Sequence, residues 1–394
     1  MTRMERKLPS DWRRVRLGEV AAYWNGRAFK PEEWRQEGIP IIRIENLNSP
    51  EATFNHFQGD ALPQHLIHNG DLLVSWSASL DAYIWDRELA VLNQHIFKVE
   101  EDSGLVLREF FYFLLRHTMV RIRERVHGAT MQHITKPEFE RIEIPLPSLA
   151  EQRRVAGMLK EQMAVVEKAR AAAQARLEAV KDLPAAFLRQ VFDAPEVARW
   201  ATRRLGDILI PHKEIIHPGD RENGTSEFVG LEHLEPHTGR RIGSLTLDLA
   251  HLTGRKPTFR RGQIVYGYLR PYLNKVWIAE FDGCSSVDQF AYGVRSDLAD
   301  VRFVAWFMRS TTYLRRSQVV TTTGQLPRIG TEEIAAVEIG LPSLAEQQRI
   351  ARVLQEQMTA VEKARAAAEA ELETIHTLPA ALLRRAFAGN EDGI

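Results

Sequence analysis

Two stretches of this chain, PLPSLAEQRRVAGMLKEQ from Pro145 and GLPSLAEQQRIARVLQEQ from Gly340, are copies of one another set 195 residues apart. The match runs without a gap from residues 145–192 to residues 340–387, and 31 of the 48 positions are identical. It includes EQM at Glu161 and Glu356 and LPAA at Leu183 and Leu378, so alanine content does not explain it; this is an internal duplication. A chain written this way must fold as two related halves, and its 394 residues give each half room for its own core.

Each copy reads as a helix. Ser148 with Glu151, and Ser343 with Glu346, have the capping-box spacing, in which the hydroxyl accepts from an early helical amide and the carboxylate reaches back to the cap amide. Pro147 and Pro342 stand just ahead of that start. Beyond it Val155, Leu159, Met163, Val166, Ala169, Ala173, Leu177 and Val180 recur every three or four residues, as do Ile350, Leu354, Met358, Val361, Ala364, Ala368, Leu372 and Ile375. Such a stripe predicts a long helix packed on another helix, with the alanines letting two axes approach closely. About 35 residues before Pro184 or Pro379 make a rod of roughly 50 Å, after which the prolines are expected to start or kink a short last segment ending at Phe192 or Phe387.

Outside the repeats the halves keep only landmarks in common. Arg16-Leu17-Gly18 answers Arg204-Leu205-Gly206, and Gly70-Asp71-Leu72 answers Gly262-Gln263-Ile264 at a glycine turn into a short apolar strand. Residues 93–97 and 287–291 read as another paired strand, and helical patterns cover residues 107–125 and 300–316. The expected order is globule 1–144, rod 145–193, globule 194–339, and rod with tail 340–394. The fold class is α+β: two mixed-sheet domains with helices, joined by two long helices in an antiparallel, pseudo-two-fold coiled coil.

Formal net charge is +0, but the charge is unevenly placed. Residues 239–275 hold Arg240, Arg241, Arg255, Lys256, Arg260, Arg261, Arg270 and Lys275 against the single acid Asp248, and residues 301–331 hold five arginines and no acid. The first half has a weaker cluster around Arg116, Arg121, Arg123, Arg125 and Lys136. Local positive fields attract a polyanion even on a neutral chain; solvated helix faces would give the same pattern. No apolar run approaches the roughly 20 residues that span a bilayer, and MTRMERK lacks the apolar core of a signal peptide, so the expected location is cytoplasmic with no membrane partner. A lone cysteine, Cys284, cannot form an intramolecular disulfide and reads as a small buried residue.

The duplication also points to a use. Rods kept alike while globules drifted apart are a shared frame carrying two different readers. Symmetric proteins read paired half-sites on duplex DNA, so unlike globules would read unlike halves of a split target. Enzyme signatures are missing: there is no N-P-P-[YF] or D-P-P-[YF] element and no G-x-x-x-x-G-K-[ST] loop. Glu232-His233-Leu234-Glu235-Pro236-His237 spaces two histidines four apart, but the proline spoils a helical metal face. Asp81, Asp86 and Glu88 lack a lysine at nuclease spacing. No catalytic residue and no metal ligand is expected.

With globule, P-L-P-x-L-A-E-Q-x-R-[IV] helix, globule and a similar helix in that order, the chain resembles the specificity (S) subunit of type I restriction-modification systems, the HsdS family. The resemblance runs from about Leu8 to Phe387 and includes Tyr268-Leu269-Arg270-Pro271-Tyr272-Leu273-Asn274-Lys275, which looks like the family's L-R-P-x-x-x-K turn. The first globule departs there, with Trp76, Ser77 and Ser79 in the corresponding place. The resemblance implies a non-catalytic, sequence-specific subunit for double-stranded DNA with a bipartite target. Two modification (methyltransferase) subunits would dock on the repeated helices, at Glu151, Gln152, Arg154, Glu346, Gln347 and Arg349, and two restriction subunits would complete the complex. S-adenosylmethionine, ATP and Mg are expected on those partners and no cofactor on this chain. Recognition by a related type IIB-like system, or a coiled-coil scaffold for proteins, are the alternative readings.

DNA readers need phosphate neutralisers and a few polar side chains for base edges. In the second globule the candidates are Arg270, Tyr272 and Lys275 on the turn, Arg240, Arg241, Arg255 and Lys256 for phosphates, and Gln325 and Arg328 on a polar loop. In the first they are Thr130, Gln132, His133 and Lys136, with Trp76, Ser77 and Ser79 by correspondence.

Overall fold

The computed structural model describes residues 12–49, 51–77, 79–126, 134–220, 224–317 and 326–387, excluding the side chains of residues 124–126. It divides into two compact units, residues 1–173 with 371–394, and residues 174–370. The division falls inside both repeated helices.

Each globule is closed by its own ends. Arg13–Arg16 pairs antiparallel with Glu143–Leu146, the strand that runs into the first rod, and Ala201–Arg204 pairs with Glu338–Leu341 ahead of the second. Leu17 and Leu205 follow the opening strands; both are fully buried and donate their amides to Ile142 O and Val337 O at 2.9 Å. Within each closure lies a four-stranded antiparallel sheet. The spatial order is Ala21–Asn25, Ile96–Glu101, Leu72–Ser75, Asp81–Ile84 in the first unit and Leu209–His212, Gln289–Val294, Ile264–Gly267, Val276–Ile278 in the second. The two orders are the same. A further sheet in each unit contains one parallel pair, Ile39–Ile42 with Ala90–Leu92 and Thr225–Val229 with Gly283–Ser285. Leu72–Ser75 and Ile264–Gly267 are buried at every position, so they read in sequence as short apolar runs rather than as alternation.

Helices complete the cores. Arg108–Val126 lays Phe110, Phe111, Leu114 and Leu115 into the first. In the second the matching pattern breaks at Ser310 into Val301–Arg309 and Thr311–Arg316, because the Ser310 hydroxyl accepts from Tyr313 N (3.1 Å) and caps a new helix. Cys284 is fully buried. Among the described residues no helix is long and apolar enough to cross a membrane.

The rods are longer than the prolines suggest. Leu149–Phe192 and Leu344–Ala386 are continuous helices of 44 and 43 residues that run through Pro184 and Pro379. The turns beyond each proline are held by burial, Leu188 and Phe192 in the core of the second unit and Leu383 and Phe387 in that of the first, which offsets the lost backbone hydrogen bond. Within the first unit Val155 and Leu159 share a core with Leu383 and Phe387, and Val166 and Ala173 cluster with Ile375. Numbers rise along one helix as they fall along the other, so the pair is antiparallel. The stripe faces inward as expected except at Ala364, which is exposed. The capping box is half formed: Ser148 Oγ and Ser343 Oγ accept from Glu151 N and Glu346 N at 3.4 and 3.3 Å, while the carboxylates turn forward to Arg154 and Arg349.

Gln152 and Gln347, expected on a docking surface, are buried and serve the fold instead. Gln152 Oε1 accepts from Leu107 N (2.8 Å) and its Nε2 donates to Leu105 O (3.0 Å) and Pro147 O (2.9 Å). Gln347 repeats the pattern with Asp300 N, Leu298 O and Pro342 O. Each amide ties the first turn of a rod to the loop that opens its globule's main helix. Gln152→Leu or Gln347→Leu orphans buried backbone groups and lowers the unfolding free energy by about 2–4 kcal/mol in urea titrations.

His117 adds a pH dependence. It is buried against Phe387, and burial first, then the charges of Arg121 and Arg384, depress its pKa to about 4. The folded state therefore holds it neutral while the unfolded chain protonates near pH 6.5. Its contribution is intact above about pH 6.5 and is lost as pH falls toward 4, on the order of 3 kcal/mol in all. Urea titrations between pH 7 and 4 should show this slope, and His117→Gln should flatten it.

Candidate nucleic-acid interface

The buried strand Ile264–Gly267 ends at the surface of the second unit, and two sequence-predicted segments meet there. Leu269 bridges Arg328, Arg270 N donates to Pro327 O (2.8 Å), and Ile329 N donates to Tyr268 O (3.2 Å). The turn around Arg270 and the segment entering Ile329 thus lie side by side. Arg270 (φ 51°) and Asn274 (φ 46°) bracket the turn in the left-handed region, a strained conformation that side chains other than glycine rarely adopt. Tyr268 stacks on Phe290 at 4.4 Å and donates its hydroxyl to Val287 O (2.8 Å). Burial foremost, with Asp288 adding to it, raises the Tyr268 pKa, and the charges of Arg328 and Arg255 oppose the rise. Both arginines therefore belong to the field around this ring. Arg255, Arg270 and Arg328 are exposed and form no ion pair among the described residues, and Tyr272 is half exposed.

The first unit repeats the frame in the same register. Trp76 follows Leu72–Ser75 as Tyr268 follows Ile264–Gly267, stacks on Phe97 at 5.8 Å, donates its amide to His95 O (3.3 Å) and accepts from Ile134 N (3.2 Å). In the second unit Phe290, Asp288 and Ile329 hold the matching positions. Gln94 and His95, ring and amide nitrogens 3.2 Å apart, stand beside this platform and were not among the sequence candidates. The strand register matches Phe97 to Phe290 and so His95 to Asp288, one residue off the alignment of residues 93–97 with 287–291 that the sequence suggests. Ser77 and Ser79 are partly exposed at the strand end, with Ser79 Oγ 3.4 Å from Asn48 Oδ1.

Several candidates already have intramolecular work. Trp76, expected to face DNA, packs against the first core. Lys136 lies 3.6 Å from Glu140 with its ammonium 5.8 Å from the Trp24 ring centre. Arg240, taken for a phosphate contact, pairs with Glu235 (3.1 Å) and Glu362 (3.2 Å), tying the globule to the second rod within its unit. Arg241 pairs with Glu280 (3.1 Å) and lies over Phe281; Lys256 lies over Phe228. Lys275 donates to Leu231 O (2.5 Å), and burial lowers its pKa. Acids distant in sequence folded onto Arg240 and Arg241, so the basic run overstated the free charge there. Glu151–Arg154 and Glu346–Arg349 are surface pairs within single helix turns. Thr130, Gln132, His133 and Gln325 lie outside the described residues.

Residues 9–172 match the family described as the type I restriction modification DNA specificity domain. The EcoDI specificity subunit of Escherichia coli is 25% identical over 420 residues, 97% of this chain and 89% of that one. The chain is thus similar to type I restriction-modification specificity subunits over nearly its whole length. The EcoBI specificity subunit of Escherichia coli is 30% identical over 191 residues, 48% of this chain and 39% of that one. Solved structures share its fold. A chain from a study of complex assembly and conformational transition of the type I R-M system has a TM-score of 0.74 at 20% identity, covering 98% of this chain and 100% of that one. The HsdS subunit from Thermoanaerobacter tengcongensis has a TM-score of 0.55 at 22% identity, covering 99% and 100%.

The placements separate structural from free cations among the described residues. Lys275→Met should lower its unfolding free energy by about 1 kcal/mol through the lost hydrogen bond. Arg270→Gly should hold or raise the unfolding midpoint, because glycine relieves the left-handed backbone.

Proposed function

We propose that this chain selects the DNA sequence for a type I restriction-modification complex, each globule reading one half of a split, asymmetric target. The observation that carries the reading is the strand-end platform, built twice in one register but lined by different side chains: Gln94, His95, Ser77 and Ser79 in one unit, Arg255, Arg270, Tyr272, Asp288 and Arg328 in the other. The same backbone with different polar groups is what two unlike half-sites require. Exposed arginines and a half-exposed tyrosine suit phosphates and base edges. Their free charge supports a DNA ligand over a protein scaffold.

In this reading the rods set the separation of the half-sites, and their exposed repeated surface, including Glu151, Arg154, Glu346 and Arg349, receives two modification subunits. Methylation of adenine with S-adenosylmethionine, and ATP- and Mg-dependent cleavage by restriction subunits, belong to the partner chains.

Single-molecule methylation sequencing of a host carrying this chain with its modification subunit should return one split adenine motif. Both proteins active with no methylated motif would overturn the proposal. In binding titrations with the partner present, Arg255→Ala, Arg270→Ala and Arg328→Ala should each weaken binding and reduce the slope of log affinity against log salt by about 1.

A further inference from the structure

The duplicated units treat one arginine differently. Arg116 in the first and Arg309 in the second hold the same place, nine residues after the loop group bonded to the rod glutamine, Leu107 in one and Asp300 in the other. Arg116 pairs with Asp81 at 3.3 Å. Strand register puts Lys275 where Asp81 stands: Leu72 and Ile264 pair with Ile84 and Ile278, and Val74 and Tyr266 with Ala82 and Val276. Arg309 has thus lost the carboxylate its counterpart keeps. Its Nε donates to Val276 O (3.0 Å), its guanidinium stacks on Trp306 with 4.5 Å to the ring centre, and no carboxylate among the described residues pairs with it. The chain wraps closely over it: a Cβ added at Gly239 (φ 71°) would fall 2.0 Å from its Cζ.

Arg309 lines a cavity of about 360 Å³ within the second unit, between the globule and rod residues Leu188, Met358 and Glu362. The acids on that lining are engaged elsewhere, Glu362 with Arg240 (3.2 Å) and Glu280 with Arg241 (3.1 Å). A half-buried cation without a counter-ion among the described residues, facing a cavity, is favourable ground for an anion; burial lowers the Arg309 pKa to about 10, which leaves it charged at neutral pH.

We infer that this cavity is a binding site for a small oxyanion, a single phosphate- or carboxylate-sized group held by the Arg309 guanidinium. An anion there bridges globule and rod within the second unit. The site is separate from the DNA-reading surface and does not depend on that reading.

The test is calorimetric titration of the full chain with orthophosphate at constant ionic strength, and in parallel with acetate, to distinguish the two sources of the oxyanion. Saturable binding of one anion per chain is expected, at least tenfold weaker in Arg309→Met. Lys275→Asp, which returns the carboxylate found in the first unit, should also abolish it and decides the matter if Arg309→Met does not unfold cooperatively. Arg255→Ala should bind as the wild type does. Absence of saturable binding of either anion to the wild-type chain would overturn the inference, as would binding lost in Arg255→Ala but kept in Arg309→Met or Lys275→Asp.

Discussion

The fold depends on a buried side-chain amide at the start of each rod. A helix start leaves amides unpaired, and the loop before each globule's main helix leaves backbone groups turned inward. Ser148 and Ser343 take an early rod amide, and Gln152 and Gln347 meet the loop with one planar group, which accepts from the loop and donates to the loop and to the carbonyl of the preceding proline. A carboxylate lacks the donor and an ammonium lacks the acceptor, so neither fits the site. The amide holds the first turn of the rod against its own globule, while the closing strand pair reaches the same place from the other side. Globule and rod are thereby joined rigidly where the repeat begins.

On that frame, charge is divided between holding and reading. Three of the eight basic side chains in residues 239–275 are neutralised by acids from other segments: Arg240 by Glu235 and Glu362, Arg241 by Glu280, Arg260 by Glu214 and Asp282. Among the described residues, the cations left without an ion pair at the strand end are Arg255, Arg270 and Arg328. A reader needs such economy, because diffuse positive charge binds any DNA, whereas a few free groups on a rigid and partly strained turn can discriminate. The stacked ring beneath, Tyr268 on Phe290 or Trp76 on Phe97, fixes the turn without committing its side chains.

Local patterns made much of this legible. The stripe from Val155 to Val180 and its copy required long paired helices, Ser148 and Ser343 marked their starts, and the apolar runs at Leu72 and Ile264 marked central strands. The Arg270 turn was visible as a motif, and its neighbour Arg328 as part of a polar loop. What failed to show were non-local partners. Nothing near Gln152 in sequence reveals Leu105 and Leu107, and nothing near Lys275 reveals Leu231. The helix passing through Pro184 was likewise hidden, because burial of Leu188 and Phe192, not the local propensity of proline, decides it.

The sequence by itself determined that the chain has two halves, that each ends in a long amphipathic helix, and that the globules have diverged; duplication and periodicity are properties of order along the chain. Only the tertiary structure decided that the diverged globules share one strand order and one register, because buried apolar positions tolerate exchange as long as volume and face are kept. It also decided which cations are free and which glutamines are buried. A charge is neutralised, and an amide satisfied, by whatever folding brings within about 3 Å, and that distance is not written in the spacing of residues.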